Sequence, residues 1–524
     1  MGDTVAFTPP AGSRFNIRKH EGEPFRAIQD ILQRLGHQNE ILHTGGTLIA
    51  VVSKQGRARA ITRGPDAPQR VALTAATLGA RLSRIVAFQK QDRRKNAKNE
   101  WRACDPPYEL MRAMIEMRDP GDIPELRAIS ECPVILPNGT IISTPGLHES
   151  SGIYLANQPP GGMVNTSKPP TRADALSAVE EFVELLAEFP FVEDGDRSAA
   201  LAATLTPFAA PGIDASPIPG VTADTAGSGK SEFCNFIANL ATGRNAPVMS
   251  YSANPEEQAK RLDSVSLAGD QLVLIDNIST TVAGDELAQM ATQGERKVRV
   301  MGSHNLINIT VRTLIMLNGN NLTIRGDLNR RVVLIRMSPG IENPESRTFS
   351  QDLLRTVRER RPELINKILS IPRVYLDAGA PDVDCQPFGS FKDWDLLVRR
   401  PLIWLGLPDP LTPARTLREE DPDAQVHLAL LAAWRERFGD KPVTAAEVIA
   451  EAMAGDKRMD RAGMSYDAPE LYEAVNGACG KTIDARSLGY ALRRYRGRVL
   501  KGMRLERGDM ESHGGTARWR VVTL

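Results

Sequence analysis

A chain of 524 residues is too long for one ordinary hydrophobic core and implies about two to four domains, while 41% hydrophobic and 25% charged residues exclude wholesale disorder. Lys plus Arg (65) and Asp plus Glu (64) nearly cancel, so no overall field draws the molecule to a polyanion or a membrane, and any nucleic-acid surface must be local. Cys104, Cys132, Cys234, Cys385 and Cys479 form no C-x-x-C pair and the seven histidines no cluster near them, which argues against a zinc site and a disulfide framework.

In chain order, the first thirty residues lack an apolar signal core, and no later run approaches the length that spans a bilayer, so a cytoplasmic protein without membrane contact is expected. Residues 1–168 mix short apolar runs such as TLIAVV with helical patches and Pro/Gly breaks, and read as an α+β domain. A basic stretch at 88–102, flanked by Phe88 and Trp101, reads as a charged loop. Clustered carboxylates of the kind a two-metal primase needs are missing from this first domain, which holds no D-x-D; Asp382 and Asp384 form one only later, in a stretch that reads as a linker. DNA binding, docking and assembly all remain open for this first domain.

A Pro/Gly-punctuated run at 158–175 precedes a helix marked by Ala178, Phe182, Leu185 and Leu186. From 175 to 373, the strand-like runs VMSYS, QLVLID, VRTLIML and RVVLIRM alternate with helical segments, as a helix-covered parallel sheet requires. Within this region lies TADTAGSGKSEF. A phosphate-binding loop needs glycines, backbone N–H groups, a lysine for the β/γ-phosphates and a hydroxyl for Mg²⁺. Gly227, Gly229, Lys230 and Ser231 meet these needs, with Thr225, Ala226, Ser228 and Glu232 around them, and Asp224 stands where the first glycine is usual. Phe233, Phe236, Ile237 and Leu240 predict the following helix, with Gly243 to end it.

Next, QLVLID delivers Asp276 at the end of an apolar strand, a position suited to the metal shell. Asn277 follows it where many NTPases have an acid, and an amide orients water but cannot take its proton. Glu257 is a substitute base or a solvated helix carboxylate. A polar cluster, Asn318, Asn320 and Asn321, follows the strand Val311–Leu317, and Arg330 and Arg331 precede the last strand. Either group alone would read as a turn or a helix end.

Between these motifs, Lys297, Val298, Arg299 and Val300 alternate charged and apolar, and Gly302-Ser303 turns the chain into NLINITV. A hairpin with a basic face and His304 at its tip suits phosphate contact. Residues 374–422 read as a linker and helical segment. In the final part, 423–524, Thr444 and Glu447 form a capping box, and a helix followed by two strands suggests a winged-helix-like domain. Its helix carries Arg486, Arg493 and Arg494, followed by Arg496, Arg498 and Lys501; a nucleic-acid contact and a protein docking face both fit this strip.

GSGKS (227–231), LVLIDN (272–277), GNN (319–321) and GDLNRR (326–331) together resemble superfamily 3 helicases of the AAA+ class, above all the helicase part of poxvirus-type primase-helicases and related phage or integrated-element replication proteins. The resemblance spans 175–373 and implies an AAA+-like P-loop ATPase core. It implies ATP and Mg²⁺ bound through Lys230, Ser231 and Asp276, Asn320 rather than Asn318 as sensor, and Arg331 or Arg330 as an arginine finger acting in trans. It also implies a ring, usually a hexamer, a DNA-tracking hairpin in the Lys297–His304 interval, and a replication partner such as a primase. The expectation is an ATP-driven DNA helicase or translocase; an ATP-organised initiator without unwinding, and a defence ATPase, are the alternatives.

Overall fold

An all-parallel five-stranded sheet organises the first of two compact units, residues 1–413 and 414–524. The structure, a computed structural model, describes residues 15–18, 28, 31, 40–53, 61, 63–64, 66–91, 101–156, 169–299, 306–341, 344, 352–419, 422–455, 466–480, 482–508 and 517–524.

Among the described residues, eleven short strands precede the central sheet. They are β1 (Phe15–Arg18), β2 (Leu42–Thr44), β3 (Thr47–Val52), β4 (Gln69–Ala72), β5 (Val86–Gln91), β6 (Trp101–Ala103), β7 (Ala128–Ser130), β8 (Val134–Ile135), β9 (Ile141–Ile142), β10 (Gly146–His148) and β11 (Ile153–Leu155). Helices α1 (Ala75–Ile85) and α2 (Tyr108–Met117) lie among them. Leu78, Leu82, Met111 and Met114 of these helices close a small core with Leu48 and Ala50 of β3.

The part after about residue 128 does not stand apart. Cys132 and Ile135, and before them Ile61, join the core of the central sheet. Glu131 takes an ion pair from Arg244 and, through its N–H, a bond to Gln271 Oε1 (2.8 Å), while its carbonyl accepts from Arg361 Nη2 (2.9 Å). Burial raises the Glu131 carboxyl pKa, and the two arginines oppose that rise. A buried charge of this kind is tolerated only when paired, so these residues bind the segment to the body of the central sheet.

The central sheet comprises β12 (Ile218–Ala223), β13 (Val248–Ser250), β14 (Leu272–Ile278), β17 (Leu314–Asn320) and β18 (Val332–Met337), in the order β13-β14-β17-β12-β18. Helices on its faces include α3 (Arg172–Leu185), α4 (Asp194–Ala209), α5 (Lys230–Thr242), α6 (Pro255–Ala268), α7 (Asp285–Thr292) and α8 (Leu353–Asp377). Strands covered on both faces must be apolar throughout, which is why Leu272–Ile275 and Leu314–Leu317 are unbroken runs. This is the helix-covered parallel sheet of a P-loop ATPase core. Between α7 and β17, β15 (Glu295–Arg299) and β16 (Leu306–Thr310) pair as an antiparallel hairpin. The β2–β3 turn abuts it, because a Cβ on Gly45 would stand 1.9 Å from the Asn308 carbonyl oxygen.

The stretch read as a linker after 374 packs instead into this core. Phe391, Trp394, Leu397, Val398 and Leu402 recur at helical spacing and bury themselves there, and Trp394 Nε1 donates to Thr206 Oγ1 (2.9 Å).

The second unit holds α9 (Pro422–Phe438), β19 (Val443–Thr444), α10 (Ala445–Ala452), α11 (Pro469–Cys479), α12 (Ala485–Tyr495), β20 (Val499–Leu500), β21 (Met503–Arg507) and β22 (Arg518–Thr523). The capping box of Thr444 and Glu447 opens α10. The strands pair antiparallel in the order β19-β22-β21-β20. Trp434, Leu488, Leu492, Tyr495 and Val521 form its core.

Candidate nucleotide-binding site

The loop from Asp224 to Gly229 leaves the carboxyl end of β12 and enters α5 at Lys230. Gly227 (φ +73°) and Gly229 (φ +92°) take left-handed backbone that a side chain would strain, and Gly229 also lies against the Phe189 ring. Phe233, one turn into α5, meets Phe189 edge-on at 5.5 Å and Phe191 at 5.9 Å, so the helix start is seated on an aromatic cluster. Ser228 Oγ donates to the Thr225 carbonyl (2.6 Å). Lys230 Nζ donates to the same carbonyl (3.0 Å) and to Ser228 Oγ (2.9 Å). Burial lowers the Lys230 ammonium pKa, while Asp224 and Asp276 work to raise it.

Asp224 sits at a position without positive φ, so no glycine is required there. Its carboxylate accepts from Ser338 Oγ (2.8 Å), just beyond β18, and thereby fastens the loop to the neighbouring strand. The departure from the usual loop is therefore an anchor.

Asp276 lies on β14, where Oδ1 accepts from the Asn277 N–H (2.8 Å), from Ser231 Oγ (3.4 Å) and from Asn318 Nδ2. Asn318 Nδ2 also reaches Ser231 Oγ at 2.8 Å. Of the two candidate sensor asparagines, the structure turns Asn318 and not Asn320 to the loop: β17 continues through Asn320, and Asn318 is 2% exposed. Asn320 is exposed at the strand end, where it pairs with Ala223 and takes no part in this triad. Because side chains recur on a strand face every second residue, shifting the strand end outward moves the inward amide back by two.

Asn277 has φ +55° and lies in a register irregularity between Ile275 and Ile278. Asparagine tolerates left-handed backbone far better than most residues. Its presence beside Asp276 has this backbone cause. Glu257 pairs with Arg261 (3.1 Å), as a solvated helix carboxylate does.

Asn318 Oδ1 is buried without a hydrogen-bond partner among the described residues, while its Nδ2 is turned to the Ser231 hydroxyl and the Asp276 carboxylate. The oxygens of Ser231 and Asp276 fit Mg²⁺, which takes one or two carboxylates and retains much of its water. Among the described residues no cluster of three His, Cys, Asp or Glu forms a fuller metal cage.

A cleft of about 490 Å³ adjoins Gly227–Glu232, within the size range of small-molecule sites. Leu185, Phe189 and Leu353 supply its apolar lining and Glu188 and Asp352 its acids. Burial raises the Glu232 carboxyl pKa, with Asp352 adding to the rise and Arg358 opposing it. Sequence reasoning missed these walls, since they come from distant segments without a motif of their own.

The two arginines separate clearly. Arg331 is wholly engaged within its own chain: Nε donates to Asp327 Oδ2 (2.9 Å), Nη2 to the same carboxylate, and Nη1 to the Ala288 carbonyl (2.9 Å) and Thr292 Oγ1. Its side chain is 13% exposed against 62% for Arg330, which among the described residues pairs with Asp327 alone. The arrangement leaves Arg330, and not Arg331, facing outward, because Arg331 is spent on fastening the turn at 326–330 to α7. The two guanidiniums hold the Asp327 carboxyl below its usual range.

On the hairpin, Lys297 is exposed opposite Asn308, and Val298 and Ile307 are buried. Arg296, not counted as basic surface, is drawn to Asp263 (2.8 Å) and Glu286 (2.5 Å) at the hairpin base. His304 and the Arg299 side chain lie outside the described residues, as does most of the basic stretch at 88–102. On α12, Arg493 and Arg494 are both exposed.

No family model and no curated protein matches the chain. Among solved structures, an apo form of the NrS-1 C-terminal region is similar at 12% identity, covering 78% of this chain and 79% of that one, with a TM-score of 0.37. A structure described as the active helicase Cch of SCCmec type IV is 13% identical over 92% of this chain and 97% of its own, with a TM-score of 0.32. The JCV helicase is 13% identical over 48% and 72%, with a TM-score of 0.20. Two of the three are described as helicases. Overlaps this loose assign no activity to the chain.

Proposed function

We propose that this protein is an ATP hydrolase that drives a DNA helicase or translocase, of the kind found in phage or mobile-element replication. The observation that carries the reading is the convergence of Lys230, Ser231, Asp276 and Asn318 at the carboxyl edge of one parallel sheet, beside a cleft of nucleotide size. Ligands of open α/β sheets bind at that edge.

In this mechanism the N–H groups of Gly227–Lys230 bind phosphate oxygens and Lys230 turns from the loop carbonyl to the β/γ-phosphates. Ser231 and Asp276 would hold Mg²⁺, which neutralises charge on those oxygens. Asn318 orients the attacking water and reports the γ-phosphate to β17. Arg330 reaches the nucleotide of the next subunit in a ring, usually a hexamer, while Arg331 keeps its turn rigid. Lys297, with Arg299 and His304 on the same hairpin, would track one DNA strand, and Arg493 and Arg494 add a second contact.

The test is steady-state ATP hydrolysis with and without single-stranded DNA, for the wild type and Lys230→Ala. DNA stimulation that Lys230→Ala abolishes supports the motor, and a forked-duplex unwinding assay follows. A wild type that binds ATP but hydrolyses it no faster than Lys230→Ala refutes it.

A second reading, ATP-organised assembly on DNA without unwinding, is favoured by Asn277. No acid follows Asp276 there to take a proton from water.

A further inference from the structure

We propose that the outer face of α12, formed by Arg486, Tyr490 and Arg493, is a stacking platform for the bases of an unpaired DNA strand. The inference rests on the reading of this chain as a DNA-binding protein, and adds to it a residue and a strand preference.

Positions 486, 490 and 493 fall at i, i+4 and i+7, so they share one stripe of the helix. The opposite stripe, Leu488, Ala491, Leu492 and Tyr495, is buried in the core of this unit. Tyr490 is 57% exposed, whereas Trp434, Tyr495 and Trp519 of the same unit are at most 4% exposed. Phe438, Tyr466 and Tyr472 are half-buried, so Tyr490 stands out as the exposed ring among the described aromatics of this unit and needs an explanation.

Two cations bracket that ring. The Arg493 guanidinium lies 4.9 Å from its centroid and Arg486 lies 6.0 Å away. Arg493 Nε donates to the Gly489 carbonyl (3.0 Å), which holds the group in place, and Gly489 carries no side chain to screen its neighbour. Arg494 is turned elsewhere, over the Tyr495 ring at 4.7 Å with a bond to its hydroxyl (2.6 Å). From Arg486 to Lys501 the chain bears six basic residues and no acidic one. That charge favours a polyanion over an acidic-residue-poor protein surface.

The exposed ring selects among polyanions. In a duplex the faces of the bases are covered by their stack, so a tyrosine face finds no partner without prising bases apart. In an unpaired strand every base offers a face, and cations on either side of the stacked base meet its flanking phosphates. The face therefore fits a single strand.

The experiment uses the full chain without nucleotide. Binding of a labelled oligothymidylate and of a matched hairpin duplex is followed by fluorescence anisotropy for the wild type, Tyr490→Ala, Tyr490→Trp and the double variant Arg486→Ala with Arg493→Ala. Basal ATP hydrolysis serves as the check on folding. Tyr490→Ala should weaken the single strand about 10-fold and the duplex far less, while Tyr490→Trp retains affinity and loses emission on binding. The double variant should flatten the salt dependence by between one and two units of slope.

Single-strand binding unchanged in Tyr490→Ala overturns the platform, as does an equal loss for strand and duplex. If Lys297→Ala alone weakens the strand, the platform falls and the motor reading stands. If the platform variants weaken the strand while DNA never stimulates hydrolysis, the platform stands and the motor reading falls. A wild type that binds no DNA removes both.

Discussion

Asn318 Nδ2 donates to Asp276 Oδ1, so that a single amide ties β17 to β14 beneath the phosphate loop while its own oxygen remains buried and unpartnered. An unsatisfied buried oxygen at this place is costly unless the bound state supplies its partner. Asn318→Ala should cut ATP hydrolysis by about 10² to 10³, with nucleotide affinity changed only a few-fold, since one preorganised polar group at a reacting centre contributes that much. Asn320→Ala should stay within about twofold of wild type. The opposite ranking in a coupled-enzyme rate assay would return the sensor role to Asn320.

Arg330 and Arg331 should fail in different ways. Arg330→Ala is expected to lose about 10³ to 10⁵ in hydrolysis at unchanged thermal midpoint, the scale of an arginine finger. Arg331→Ala removes charge-assisted bonds to Asp327, Ala288 and Thr292 and should destabilise by about 1.5–3 kcal/mol. Mixing each variant with Lys230→Ala tests action between subunits. Recovery of hydrolysis with Arg331→Ala but not with Arg330→Ala would contradict this division.

Asn277→Gly should preserve both stability and hydrolysis within a few-fold, because glycine adopts the left-handed backbone of this bulge without strain. Asn277→Val should lower stability by about 1–2 kcal/mol. Loss of catalysis in Asn277→Gly at full stability would mean that the amide itself acts on water.

His427 gives the second unit a pH dependence. The ring is fully buried, stacks on Tyr495 at 4.2 Å, and has neither nitrogen hydrogen-bonded among the described residues. Burial, with the positive charge of Arg498 and Arg494, brings its pKa down from 6.5 to about 4. The unfolded chain thus takes up a proton that the folded unit resists. Stability from this group is constant above about pH 6.5 and falls as pH drops toward 4, by up to about 3 kcal/mol. His427→Phe, which keeps the stacked ring, should flatten the fall in thermal midpoint between those pH values. An identical decline in both proteins would assign the effect to other groups.

Much of the ATPase core was legible before the structure, because its signals are local. Loop chemistry is carried by adjacent residues such as Gly227, Gly229, Lys230 and Ser231, and a fully buried strand announces itself as a run such as Leu272–Ile275. The capping box of Thr444 and Glu447 is likewise a three-residue relationship.

The sequence by itself determined, for the same reason, that Gly227–Ser231 would form a loop leading into a helix, and where that helix would end. Tertiary structure alone decided which asparagine faces the loop, since that depends on how far β17 extends in its ladder with β12. It decided that Arg331 is engaged in its own chain, through partners on α7 about forty residues earlier in the sequence. It also decided that Leu185, Phe189 and Leu353 line the cleft, and that Phe391–Leu402 belongs to the core. Spacing along the chain sets the face of one element, but which elements meet is set by the packing of all of them together.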